Sequence, residues 1–312
     1  MARRIRGAAR VGISGWRYGP WRGTFYPKGL AQARELEHAS RRVDTIEING
    51  SFYSLQSPAS YRAWREQTPT GFVFAVKGGS FITHIRRLRD CAKPLANFFA
   101  SGVLALREKL GPVLWQLPPS LRFDAALIED FLALLPQTTG AAAALGRRHD
   151  RRLRTRAYTR VHEDVALRHT MEVRHDSFVS PAFFALLRRY NVAACIADNA
   201  RDWPVLDAVT ADFVYCRLHG HTRMYASGYS AAALDRWAAR AREWLDAGRD
   251  VYVYFDNDAK IRAPYDAINL AARLHGGERV AFPRAFARDG EEPRTGRDIW
   301  RRRARAAEAG AP

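Results

Sequence analysis

Charged and polar residues recur at one position in this chain, the C-terminal end of short apolar runs. Glu47 and Asn49 close TIEING (45–50), Lys77 closes FVFAVKG (72–78), and Gln116 sits in VLWQLP (113–118). Glu172 and Arg174 fall in HTMEVRH (169–175), and Asp198 ends VAACIAD (192–198). Arg217 and His219 end FVYCRLHG (213–220), and Asp256 and Asn257 end VYVYFDN (251–257). One inward Glu beside one inward Arg is often a satisfied structural pair. So many at matching ends point instead to a shared ligand-binding mouth, because unpaired charge is costly to bury. Two chemistries suit the set. In the first, Lys77, Arg174 and Arg217 hold an anion, since guanidinium forks match phosphate or carboxylate. Glu47, Glu172 or Asp198 then serves as general base, with His219 or His84 as acid. In the second, Glu172, Asp198, His219 and Asp256 hold a divalent Mn, Mg or Zn ion. Against the metal, Arg174 and Arg217 lie between those acids and would neutralise them unaided.

These residues need elements to position them. With VGISGW (11–16) as the first, the chain offers eight strand candidates, most followed by a helical stretch. Helices are expected over Ala33–Arg42, from Ser57-Pro58, and over Pro94–Leu110, Ala125–Leu135, Pro181–Tyr190, Ala231–Ala247 and Tyr265–Leu274. Ser57 reads as a cap with Pro58 behind it. Strict β–α alternation implies parallel strands, and eight of them a closed (β/α)8 TIM-type barrel with its active face at the strand C-termini. A doubly wound open sheet is the runner-up, and the lack of a GxGxxG turn counts against it. Turning apolar residues toward the helices fixes strand parity. It points Ser14 and Trp16 inward on the first strand, then Glu47 and Asn49, Lys77, Gln116, Glu172 with Arg174, Asp198, and Arg217 with His219. The eighth strand leaves Asp256 and Asn257 open. Cys195 and Cys216 fall on the outward parity as reduced packing residues.

The chain has 312 residues, 47% hydrophobic, which is ample for one such barrel over 11–286. Its formal net charge is +18, and only five of fifty basic residues are lysine. Basic segments lie at 1–10, within 138–167, and in the tail 287–312. An anionic partner, a small molecule or nucleic acid, fits that excess. Scattered cysteines, no apolar run long enough to span a membrane and no secretory leader point to a cytoplasmic protein. No GxSxG, P-loop or HExxH occurs. An aromatic rim (Trp16, Tyr18, Trp21, Phe25, Tyr26, Phe52, Tyr53, Tyr225, Tyr229) either stacks on bases and sugars or plugs the barrel end.

The segments GISGWRYGPWRGTFYPKGL, TIEINGSFY, TPTGFVFAVKG, ITH, KLGPVLWQLPPSLRF, MEVRHDSF, YCRLHG and VYVYFDN resemble, in order, the domain-of-unknown-function-72 (YecE-like) family, over about Val11–Leu274. The resemblance implies a TIM-type barrel and no defined activity. It carries motif positions onto Trp16, Glu47, Asn49, Tyr53, Lys77, Thr83, His84, Gln116, Glu172, Arg174, Asp198, Arg217, His219 and Asn257. Gly50 and Asp256 depart from the family's usual Ser and Asn. The order Glu172, Asp198, His219, Asp256 also resembles the metal quartet of the xylose-isomerase-like barrels, which include endonuclease IV. The leading expectation is an acid–base enzyme, a hydrolase, lyase or isomerase, acting on an anionic, phosphate-bearing substrate without a cofactor. Glu47, Glu172, Asp198 and His219 would be catalytic. Trp16, Asn49, Tyr53, Lys77, His84, Gln116, Arg174, Arg217 and Asn257 would bind substrate. The alternatives are a non-catalytic nucleic-acid-binding protein and a metal-dependent barrel.

Overall fold

A computed structural model describes residues 7–153, 156–200 and 202–283; most of the basic lead-in and all of the tail 287–312 lie outside them. Eight strands close into one barrel in sequence order. They are β1 (Ala9–Ser14), β2 (Thr45–Ile48), β3 (Val73–Lys77), β4 (Leu110–Gln116), β5 (His169–Glu172), β6 (Val192–Asp198), β7 (Phe213–Leu218) and β8 (Asp250–Phe255). Every neighbouring pair is parallel, including β8 against β1. The expected α/β TIM-type barrel is therefore the observed fold.

Alternation along each strand builds two cores. Val11, Ile13, Ile46, Phe74, Trp115 and Val253 face outward into the layer beneath the helices. Val73, Ala75, Leu114, Phe213, Tyr215 and Tyr254 fill the barrel interior. The helices are α1 (Glu35–Ser40), α2 (Gly50–Tyr53), α3 (Pro58–Gln67), α4 (Ala92–Ala100), α5 (Ala125–Leu134), α6 (Thr139–Gly146), α7 (Pro181–Arg189), α8 (Ala231–Asp246) and α9 (Arg262–His275). Ser57 caps α3 by accepting from the Ser60 N–H at 3.1 Å, with Pro58 at the first helical position. The long helix expected over Pro94–Leu110 ends at Ala100, and Val103–Lys109 runs in 3₁₀ turns.

Within 138–167, α6 buries Thr139, Ala142, Ala143 and Gly146, a helical-period stripe. It packs against α4, and the Tyr158 N–H donates to Ala100 O at 2.8 Å. The exposed side carries Arg147, Arg148, Arg151 and Arg152. Among the described residues no helix is long and apolar enough to cross a membrane.

Two parity expectations are corrected. On β6, Ala193 and Cys195 belong to the barrel interior, whereas Val192, Ala194 and Ile196 face the helices. Asp198 shares the outward parity, and Cys195, expected outside, is inside; Cys216 does face the helices. Three small residues in a row, Ala193-Ala194-Cys195, gave hydrophobicity no purchase on which side was which. On β1, the strand stops at Ser14 and the chain turns through Gly15 at φ +86°. That left-handed turn, which a side chain would strain, swings Trp16 outward onto Trp64 of α3, with ring centroids 5.4 Å apart.

Gly78 matters to the site because it follows Lys77. A Cβ there would stand 2.3 Å from the buried Trp115 ring, which has no room to yield. Gly78→Ala is expected to lower stability by about 1–3 kcal/mol, read as a shift in the urea midpoint at unchanged slope.

Candidate active site

The inward residues of β7 are Phe213, Tyr215 and Arg217, so one guanidinium rises at the barrel centre. Arg217 is 1% exposed and grips three strands. Its Nε and Nη2 donate to the two Glu47 carboxylate oxygens at 3.1 and 2.9 Å, its Nη1 to Glu172 Oε2 at 2.6 Å, and its Nη2 also to Asp256 Oδ2 at 2.9 Å. Tyr215 donates to Glu47 Oε2 at 2.6 Å from the layer below, and Ser14 to Glu47 Oε1 at 3.1 Å. Arg174 donates from Nε to Glu172 Oε1 at 2.8 Å, with its Nη2 in ion-pair contact with the same oxygen at 2.7 Å, and lies 4.1 Å over the Trp203 ring.

All three Arg217 nitrogens are bonded to protein, so the guanidinium cross-braces β2, β5 and the end of β8. Glu47 and Glu172, expected to be catalytic, are held in the same network. Burial pushes Glu172 up, but Arg217, Arg174 and the neighbouring His219 and Lys77 outweigh it and keep it well below the usual carboxylate range. Asp256 is likewise raised by burial but brought down to about 2 by Arg217 and His219.

His219 continues the β7 parity. Its Nδ1 stands 3.0 Å from Asp256 Oδ2 and its Nε2 3.9 Å from Glu172 Oε2, yet neither nitrogen makes a well-directed hydrogen bond among the described residues. Trp203 and Tyr225 meet its ring edge-on, at 5.3 and 5.5 Å, and leave it 0% exposed. Burial depresses its pKa and Arg217 adds to the effect, against a raising pull from Asp256 and Glu172.

The remaining half of the mouth is open. Lys77 ends β3 with its ammonium 4.4 Å from the Phe52 ring centre. No carboxylate lies within ion-pair distance of it among the described residues. Burial, then Arg217, lowers its pKa to about 8, against partial support from Glu47, Glu172 and Asp256. His84 meets the same Phe52 ring edge-on at 5.1 Å, with Thr83 Oγ1 2.9 Å from its Nδ1. Burial and the cations Lys77 and Arg174 press it down to about 4. Gln116 ends β4 level with Glu172, and no hydrogen bond of its amide occurs among the described residues. Asn49 opens α2 with a buried, unpartnered Oδ1, and Tyr53 lies exposed on the rim.

Three expected site residues lie elsewhere. Trp16 is in the outer layer. Asp198 Oδ2 pairs with the half-exposed His221 Nδ1 at 3.1 Å, outside the Arg217 network. Asn257 turns toward α9, where its amide donates to Asp266 Oδ2 at 2.8 Å and to Ser227 O at 3.0 Å. The metal quartet therefore does not assemble: Asp198 is on the wrong face, and Arg217 sits among the other acids. No group of three or more His, Cys, Asp or Glu side chains fit to hold a metal ion occurs among the described residues.

One residue was missed. Asp258, past the end of β8, is pushed up to about 7 by burial and by Asp256. Extending the β8 alternation Tyr254, Asp256 by one more step would have found it.

The fold and this charged mouth define a closed parallel (β/α)8 barrel with a polar site at its strand C-termini. The chain belongs to the family described as "Protein of unknown function DUF72", whose model matches residues 10–289. It is similar to the UPF0759 protein YunF of Bacillus subtilis (strain 168), 22% identical over 280 residues, 80% of this chain and 88% of that one. The UPF0759 protein YecE of Escherichia coli (strain K12) is 30% identical over 108 residues, 35% of this chain and 37% of that one. Among solved structures, a DUF72 family protein of Thermotoga maritima MSB8 superposes with a TM-score of 0.69 at 22% identity, covering 86% of this chain and 99% of that one. One from Enterococcus faecalis V583 gives 0.61 at 14% identity, covering 86% and 97%. These superpositions agree on the fold.

Proposed function

We propose that this chain is an acid–base enzyme, a hydrolase, lyase or isomerase, that takes a small anionic, phosphate-bearing molecule at the open half of the barrel mouth. The observation that carries the reading is Lys77, a buried inward cation on the Phe52 ring with no carboxylate within ion-pair distance among the described residues. Gln116 on the adjacent β4 and Arg174 just past β5, its Nη1 without a partner among the described residues, stand at the same end of the barrel. Proton transfer then falls to Asp258 and His219 rather than to Glu47 or Glu172. Asp256 and Asp258 are neighbouring carboxyls driven apart, one ionised and one retaining its proton to about pH 7, the pattern that separates base from acid.

The test is thermal unfolding and calorimetric titration with inorganic phosphate, sugar phosphates and mononucleotides. At least one should raise the melting temperature of the wild type and leave Lys77→Met unmoved. Because the anion needs the ammonium, affinity should fall as pH rises through about 8, where Lys77 loses its proton. No shift with any anion, or an equal shift in Lys77→Met, overturns the reading.

A second reading is nucleic-acid binding without catalysis. Arg147, Arg148, Arg151 and Arg152, exposed together beside α6, favour it. It requires affinity for DNA or RNA that drops steeply with added salt and with replacement of those four by alanine. Salt-independent affinity excludes it.

A further inference from the structure

The two buried lysines of this protein are built in opposite ways. Lys109, 6% exposed, spends its ammonium on three acceptors: Arg65 O at 2.6 Å, Thr68 O at 2.7 Å and Thr68 Oγ1 at 3.0 Å. That is a structural lysine, with every donor matched. Lys77, 9% exposed, has no such acceptor among the described residues. It stands on the Phe52 ring with Arg217 and Arg174 as fellow cations in the mouth. An amine kept from water, lacking a carboxylate partner and crowded by other cations is the arrangement that turns lysine into a nucleophile.

We propose that Lys77 is a covalent catalytic residue that forms an imine with the carbonyl carbon of an anionic aldehyde or ketone. This deepens the proposed function by naming the substrate class, and rests on it for the anionic group. The ammonium and Arg174 draw the anion in, and the free amine then attacks. The nitrogen lone pair forms the C–N bond while the carbonyl π pair moves to oxygen, which takes up a proton. The nitrogen gives up two protons in turn, the first as the carbinolamine forms and the second as its hydroxyl, protonated once more, leaves as water, and C=N remains. No oxidant or reductant is consumed.

His84 is placed to assist. The Thr83 hydroxyl has the His84 Nδ1 as its hydrogen-bond partner, at 2.9 Å. With the hydroxyl donating, the neutral ring carries its proton on Nε2, which can then donate to the substrate oxygen. Arg174 Nη1 remains to hold the anionic group once Lys77 has lost its charge. Burial and the neighbouring guanidinium set the Lys77 amine near 8, which gives on the order of a hundredfold more free base at neutral pH than an ordinary lysine.

The chain contains only five lysines, Lys28, Lys77, Lys93, Lys109 and Lys260, so trapping can be read residue by residue. The full-length protein is incubated near neutral pH with glyoxylate, or separately with glycolaldehyde phosphate, and reduced with borohydride. Peptide mass mapping then locates the adducts. The expected result is one reduced adduct on Lys77, at least about tenfold over the exposed Lys28, and lost in Lys77→Met. Labelling should rise with pH to a plateau above about 8, while the exposed lysines are still climbing. Labelling spread over exposed lysines, with none on Lys77, overturns the inference. If phosphate still shifts the melting temperature in that case, the anion-binding reading stands without it. Lys77 labelling with no response to phosphate would retain the imine and dismiss the phosphate.

Discussion

Arg217→Met is expected to cost about 3–5 kcal/mol of folding stability, the usual penalty for removing one partner of a buried ionic cluster. The methionine fills much of the volume, so the loss is electrostatic. Glu47 and Glu172 are fully buried and Asp256 nearly so, and each gives up its shortest cationic contact. At this chain length the melting temperature should fall by about 5–8 °C. Adding Glu47→Gln to Arg217→Met should recover part of the loss by removing one orphaned charge, whereas Glu47→Gln alone should destabilise. A change of under about 1 kcal/mol for Arg217→Met would show that the mouth solvates its carboxylates by other means. The cluster would then not be the brace described.

Asp266→Asn is expected to stabilise the protein at neutral and alkaline pH. Asp266 is 5% exposed and accepts from the Tyr229 N–H at 3.2 Å and from Asn257 at 2.8 Å. Burial pushes its pKa up to about 7, beyond what those two donors and Arg262 pull back. A carboxyl raised in the folded state binds its proton more tightly there than in the unfolded chain. Its contribution is therefore fully present below the unfolded value near 4 and is lost as pH rises through about 7. The shift sets that loss at about 4 kcal/mol at most. Asparagine keeps an oxygen for both donors and has nothing to ionise. Denaturant unfolding from pH 5 to 8 should show the wild type losing more stability than Asp266→Asn, Asp258 titrating over the same range in both. Parallel curves would refute the assignment. The opposite sign belongs to Asp256, whose depressed carboxyl contributes stability that disappears as pH falls through about 2.

The barrel itself was legible in the sequence because strand ends and parity are local properties. On β2, β3, β4 and β5 the largest apolar side chains fall on the outward parity, and Glu47, Lys77, Gln116, Glu172 and Arg217 are inward as read. The failures have local causes too. Asp198 was misplaced because small residues occupy both faces of β6, and Trp16 because one glycine turn ends β1 early. The eighth strand, ambiguous between Asp256 and Asn257, was settled only by the reach of Arg217. What no local pattern contains is partner choice. Arg217 and Lys77 look alike in the sequence, each a cation at a strand end. One is bonded by Glu47, Glu172 and Asp256, and the other by no carboxylate, because β7 faces β2 and β5 across the interior whereas β3 looks toward Phe52. That difference separates a brace from a reactive group, and it exists only once the barrel is closed.

The uneven covering of the mouth bears on evolvability. Trp203 and Tyr225 roof the His219 side, while Tyr53, Phe81 and Ile85 stand 56%, 45% and 69% exposed on the other. Side chains so exposed add little to folding, so replacing them is nearly free of structural penalty. Tyr53 packs on Phe52, the ring under the Lys77 ammonium, and Phe81 and Ile85 share a short helical turn with His84. Drift at these three positions can therefore change which molecules are admitted while the machinery beneath stays constant, and homologues with identical interiors need not share a substrate.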